Sequence, residues 1–228
     1  MIIVEMICLA NSRKEGGRCI AGIRTDGKGW IRPVSPIIGG TLYGYHYSLQ
    51  NGSEVQVLDL IEVPLIKPLS QPHQPENWLI ETSVKWKLIQ RPASKRSLEI
   101  LDNYINTGPF LFGDDCDRIA ASTYQYQKSP ESLTLISPSD FKFEVKLNQY
   151  RGNLQKRLIF SLGGAEYNLV LTDPRFENFL EKQGLGVFTP IQLGFSSNQK
   201  VYLTISLGEQ FRSYHYKLVA SVIFLPLK

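Results

Sequence analysis

At 228 residues the chain is long for one small core and suits two domains of about 100 residues each. Its 43% hydrophobic and 20% charged residues can bury a proper interior, which excludes a disordered protein. A net charge of +4, from 25 basic and 21 acidic residues, is too mild to identify a polyanion partner, so where the charge lies matters more than its sum.

The apolar opening, residues 1–10, is interrupted by Glu5, lacks a basic start and is too short to span a bilayer, so it reads as a first strand rather than a signal peptide. The run 218–227 falls equally short of the roughly 20 residues that a crossing needs. Cys8, Cys19 and Cys116 form an odd set without CxxC spacing, which points to reduced thiols rather than a disulfide scaffold or zinc ribbon. The expectation is a soluble, cytoplasmic protein with no membrane partner and no cofactor.

In chain order, strands are predicted at 2–9, 18–24 and 29–34, followed by a Gly- and Tyr-rich loop through Gly52. Val55, Val57, Ile61, Val63 and Leu65 share one parity, broken only by Asp59, as in a long strand curling around a barrel. A strand over 78–88 closes this set. Leu98, Leu101 and Ile105 lie on one side of a predicted helix over 94–106, and 106–130 reads as a linker holding the cluster Asp114, Asp115 and Asp117.

The second half alternates more cleanly. Phe141, Phe143, Val145 and Leu147 give one strand; Leu158, Phe160 and Leu162, then Tyr167, Leu169 and Leu171, give a hairpin around Gly163-Gly164. Asp173 caps a short helix with Pro174 in its first turn and Gly184 at its end, and strands return at 201–207 and 215–225. Three strands, a helix and two strands is the order of an OB-fold, a small five-stranded barrel. The predicted fold is mainly β: two tandem OB-like five-stranded barrels, 1–92 and 131–228, joined by a helix and linker over 93–130.

Residues 8–22 (CLANSRKEGGRCIAG) and 30–35 (WIRPVS), with 171–174 (LTDP), 206–209 (SLGE) and 216–220 (YKLVA), resemble the prokaryotic dual OB-containing domain family. The resemblance spans nearly the whole chain. It implies two fused OB barrels in a bacterial protein, a role in binding nucleic acid, and partner proteins of a bacterial conflict or defence system.

OB barrels usually hold oligonucleotides across strands 2 and 3, gripped by the loops joining strands 1 to 2 and 4 to 5. In the first half those positions carry Arg13, Lys14, Arg18, Arg24, Trp30 and Arg32, and residues 1–32 hold six basic and three acidic side chains. In the second half they carry Tyr150, Arg151, Lys156 and Arg157, then Phe211, Arg212, Tyr214, His215 and Lys217. Rings interleaved with cations suit a single strand, because bases stack on the rings while the cations follow the backbone. The register of the hairpin over 18–34 decides Trp30: a two-residue turn at Asp26-Gly27 puts it in the core with Ala21 and Ile23, a three-residue loop puts it outside with Arg18 and Arg24.

Other groups have simpler readings. Tyr43, Tyr45 and Tyr47 can form a stacking lid or pack across the barrel mouth, and packing is favoured. Asp173 reads as a helix cap rather than a catalytic carboxylate, and Asp114, Asp115 and Asp117 lack the spacing of a calcium loop. His46, His73 and His215 sit in no local catalytic array, and no GxSxG or phosphate-binding loop is present. A hydrolase using Cys8 or Cys19 with His215, and a protein-interaction or small-nucleotide-sensing subunit, remain the rival classes to a nucleic-acid binder.

Overall fold

The computed structural model describes residues 1–124, 131–149 and 152–226. They form two compact units, one of residues 1–104 with Glu131 and Ser132, the other of the remaining described residues from Ile105 onward. Among the described residues no helix is long and apolar enough to cross a membrane.

Unit 1 is built from β1 (Ile2–Lys14), β2 (Gly17–Arg24), β3 (Trp30–Val34), the single-turn helix α1 (Gly44–Tyr47), β4 (Leu60–Pro68), β5 (Asn77–Ile80) and β6 (Lys87–Gln90). The strands pair in the order β1-β2-β3-β5-β4, and β4 returns to β1, so the sheet closes into a five-stranded barrel. Only β3 and β5 run parallel. This is the OB topology. Val4, Met6, Cys8, Ile20, Ile31, Ile61, Val63, Leu65 and Trp86 fill the barrel. A bulge at Leu9 lets β1 bend around it, and Gly22 opposite Cys8 leaves no room for a side chain, since a Cβ there would lie 2.0 Å from the Ile7 carbonyl oxygen.

Three predicted elements of this unit differ in extent. The long strand over 55–65 begins only at Leu60, because the Asp59 carboxylate that breaks the parity is fully buried: it takes two hydrogen bonds from Arg91, at 2.7 and 2.6 Å, and one from the Gln56 N–H, which fixes 55–59 as a turn. The strand over 78–88 divides into β5 and β6, separated by a turn in which Glu81 accepts hydrogen bonds from the Ser83 N–H and hydroxyl. The helix over 94–106 is one turn, α2 (Lys95–Leu98), capped by the Ser94 hydroxyl, and then tightens into a 3-10 helix over Glu99–Tyr104.

Unit 2 contains β7 (Arg118–Ala120), the single-turn helix α3 (Ala121–Tyr124), β8 (Leu133–Ile136), β9 (Phe141–Leu147), β10 (Leu154–Leu162), β11 (Ala165–Leu171), α4 (Pro174–Glu181), β12 (Gly186–Phe188), a 3-10 turn (Ile191–Leu193), β13 (Gln199–Phe211) and β14 (Tyr214–Pro226). β9-β10-β11-β14-β13 repeats the order of unit 1, with the parallel pair now between β11 and β14. Here β9 and β13 do not pair; β12 lies along β9 and β8 along β13. The interior is aromatic, with Phe195 and Phe224 stacked at 4.4 Å and Phe143 and Phe176 at 5.6 Å. Asp173 caps α4 as predicted and also accepts from the Val222 N–H, tying the helix to β14. The expected linker is largely structure: Leu111, Phe112 and Ile119 join this core, and β7 adds to β14.

Candidate nucleic-acid interface

In unit 1 the face expected to bind is covered. β2 and β3 pair Ile23 with Trp30, the same register as a two-residue turn, although the connection is longer and closes between Arg24 and Gly29. Trp30 is therefore buried beside Ile23, only 6% exposed, and cannot stack on a base; the register that would have exposed it does not form. Arg32, 1% exposed, cannot reach a phosphate either. Its Nη2 lies 3.0 Å from both the Glu76 carboxylate and the Ser132 hydroxyl, and the Glu76 carboxylate in turn accepts hydrogen bonds from the Ser132 N–H and hydroxyl.

Arg24 grips Asp26 through two hydrogen bonds, holding that carboxyl down to about 2, and lies 5.9 Å over the Trp78 ring. Arg13 and Arg18 face each other at the end of the β1–β2 hairpin, whose turn is only Glu15-Gly16. Arg13 is exposed, whereas Lys14 donates to the Gly39 carbonyl at 2.5 Å and Arg18 hydrogen-bonds the Tyr47 hydroxyl. The tyrosine series divides: Tyr47 is core, Tyr45 is exposed and stacked near Tyr43 at 6.3 Å.

Unit 2 keeps the corresponding face open. Alternation along β10, β11 and β14 sends Leu158, Leu169 and Val219 inward and leaves Arg157, Val170 and Leu218 on the outside, where the ladders set them side by side. Across β9 the row continues to Glu144, opposite Arg157. Phe211 and Arg212 rise beside this row on the β13–β14 turn, Asn148 on the β9–β10 side, and together they border a cleft of about 510 Å³. Arg212 and Ser213 make the turn with φ of 48° and 68°, which is why two residues suffice to reverse the strands.

Cations and rings converge here. The Arg118 guanidinium lies 4.8 Å over the Tyr214 ring and 5.8 Å from that of Tyr216, and hydrogen-bonds the Tyr216 hydroxyl. Arg212 sits 5.3 Å over Phe211. The Arg157 guanidinium donates to Asn168 and, at 3.1 Å, to Gln155; burial pushes its pKa down, countered by Asp117 and Glu144. Tyr150 and Arg151, expected on the β9–β10 loop, lie outside the described residues.

Lys217 was expected to contact phosphate but points inward, 1% exposed, at the floor of the cleft. β14 extends through it, so parity turns Lys217 to the core while Tyr216 and Leu218 face out. Its ammonium donates to the Asp114 carboxylate at 2.5 Å and carbonyl at 2.8 Å, and burial lowers its pKa. With the Tyr167 hydroxyl, which accepts from the Leu111 N–H and donates to the Asp114 carbonyl, it lashes the loop before β7 to the barrel. Lys156 is buried against Glu181, and His215 is buried with Nδ1 on the Gly208 carbonyl.

Arg118, Asp117, Gln155 and Tyr216 are members of this site that sequence reasoning missed. Arg118 sat in the predicted linker, and only the pairing of Arg118 with Tyr216 across β7 and β14 brings it to the rings. Among the described residues no cluster of three His, Cys, Asp or Glu side chains could hold a metal ion.

No curated protein matches the chain. The family model for a dual OB-containing domain matches residues 4–222, nearly its full length, in accord with the two OB-ordered sheets. The chain thus belongs to the dual OB-containing domain family.

Proposed function

We propose that the protein binds single-stranded nucleic acid through the outer face of unit 2. One observation carries this reading: in unit 2 the face that OB barrels use is open and bordered by Arg157, Arg212, Phe211 and Tyr216, with Arg118 beside it over the rings of Tyr214 and Tyr216, whereas the corresponding face of unit 1 buries Trp30 and Arg32. Bases would stack on Tyr214 and Phe211 while the arginines follow the backbone. The rings beside the cleft favour a strand whose bases are splayed out over a stacked duplex.

Fluorescence anisotropy with labelled single- and double-stranded DNA and RNA at two ionic strengths tests this. Three cations on the backbone predict a slope of about −2 for log affinity against log salt with a single strand. Replacing Tyr214 and Arg212 by Ala together should weaken binding at least ~10-fold, as loss of one stacked base and one phosphate contact implies. A flat salt response, or full affinity in that variant, refutes the assignment.

A further inference from the structure

Resting on the reading above, we infer that the unit 2 cleft selects guanine, with the Asp117 carboxylate as the group that reads its Watson–Crick edge. Asp117 borders the cleft together with Arg157 and Arg212, and lies 3.9 Å from the Arg118 guanidinium. A carboxylate among cations is a poor element of a site that only grips phosphate, because it repels the ligand that the arginines attract. It is a fitting element where the ligand brings hydrogen-bond donors.

The β7–β14 junction fixes its place. The Asp117 carbonyl accepts from the Lys217 N–H at 2.8 Å, and Lys217 in turn holds Asp114, so the backbone carrying this carboxylate is anchored on both sides. Its side chain remains 44% exposed, open to a ligand.

Ionised carboxylate only accepts hydrogen bonds, and it offers two oxygens side by side. Guanine alone among the common bases presents two adjacent donors, N1–H and the N2 amine, on its Watson–Crick edge. Adenine and cytosine put a ring acceptor beside their one amine, and thymine and uracil flank N3–H with carbonyls, so each would set lone pairs against the second oxygen. Gln155 complements this: its carbonyl oxygen accepts from Arg157, which leaves its N–H groups to face an acceptor such as guanine O6 or N7. Phe211 and Tyr216 border the same space and supply apolar ring surface for the base.

The test uses the full chain and nine-residue thymidine oligonucleotides in which the central base is guanine, inosine, adenine, cytosine or thymine, followed by anisotropy at constant salt. Guanine should bind roughly tenfold tighter than thymine or adenine, with inosine, which lacks the N2 amine, between them. Asp117→Asn, which turns one acceptor into a donor, should collapse the guanine-to-thymine ratio to about one. GMP should displace the guanine oligonucleotide better than AMP; an equal affinity for GMP and the oligonucleotide would identify a free nucleotide as the ligand and still support the guanine site. Equal binding of all five strands, or of inosine and guanine, overturns the inference and leaves the broader reading standing. A uniform loss for all bases in Asp117→Asn, with the ratio kept, assigns Asp117 to orienting Arg118 and also overturns it. Absence of binding to any strand sinks both readings together.

Discussion

Replacing Arg32 and Glu76 singly and together tests how charge is held inside unit 1. Both side chains are almost fully buried, 1% and 3% exposed, with Nη2 and Oε1 3.0 Å apart. At an effective dielectric of about 20 that separation is worth about 5 kcal/mol of attraction, which offsets a comparable cost of taking both ions out of water. Glu76→Met takes away the carboxylate that pairs with a buried guanidinium, and Arg32→Met takes away the cation that pairs with a buried carboxylate; each should cost about 3–5 kcal/mol. The double replacement removes both charges and should cost only about 1–2 kcal/mol, mainly for the Ser132 N–H that loses its acceptor. Trp30, Trp78 and Trp86, the chain's three tryptophans, all lie in unit 1, so urea unfolding followed by tryptophan fluorescence reports this unit. With an m-value of about 1.5 kcal/mol per M for a unit of ~100 residues, 3 kcal/mol lowers the midpoint by about 2 M. Single variants within 0.5 M of the parent, or a double variant that loses the sum of both, would refute the view that the pair matters as mutual charge compensation.

Two further predictions concern the same unit. The His46 ring accepts the Tyr43 N–H at Nδ1, 3.0 Å away, and burial lowers its pKa from 6.5. The unfolded chain therefore takes up this proton first as pH falls, so the contribution is complete above about 6.5 and is lost below it; His46→Asn should flatten the difference between urea midpoints at pH 7.5 and 5.5, and an unchanged slope would remove His46 as its source. Gly22→Ala forces a Cβ against the Ile7 carbonyl and should destabilise unit 1 by at least about 2 kcal/mol, seen as a lower midpoint, whereas Gly27→Ala meets open space and costs only the strain of its φ of 79°.

How much was legible varies by element. The strands β9, β10 and β11 of unit 2 were readable because each has one wet face, so parity alone marks Phe143 and Leu158 as inner and Glu144 and Arg157 as outer. Unit 1 was harder. Its strands are buried on both faces: Ile7, Ile23 and Trp30 are as hidden as Met6, Cys8 and Ile31, so alternation carried no contrast. Asp59 stood out in the sequence as a parity break, but the turn it builds needs Arg91, which lies 32 residues away.

The candidate site shows the same division. Composition and chain order alone determined a mainly β protein with two OB-ordered halves, and they placed Arg212 and Tyr214 at a strand-to-strand turn, since these depend on local period and turn chemistry. Tertiary structure alone decided that Lys217 turns to the core, that Arg32 is buried against Glu76, and that Arg118 joins Tyr214 and Tyr216. A charged side chain in a strand reads the same in sequence whether it meets solvent or a buried carboxylate, and the carboxylates that capture Arg32 and Lys217 lie 44 and 103 residues distant, where no local pattern reaches.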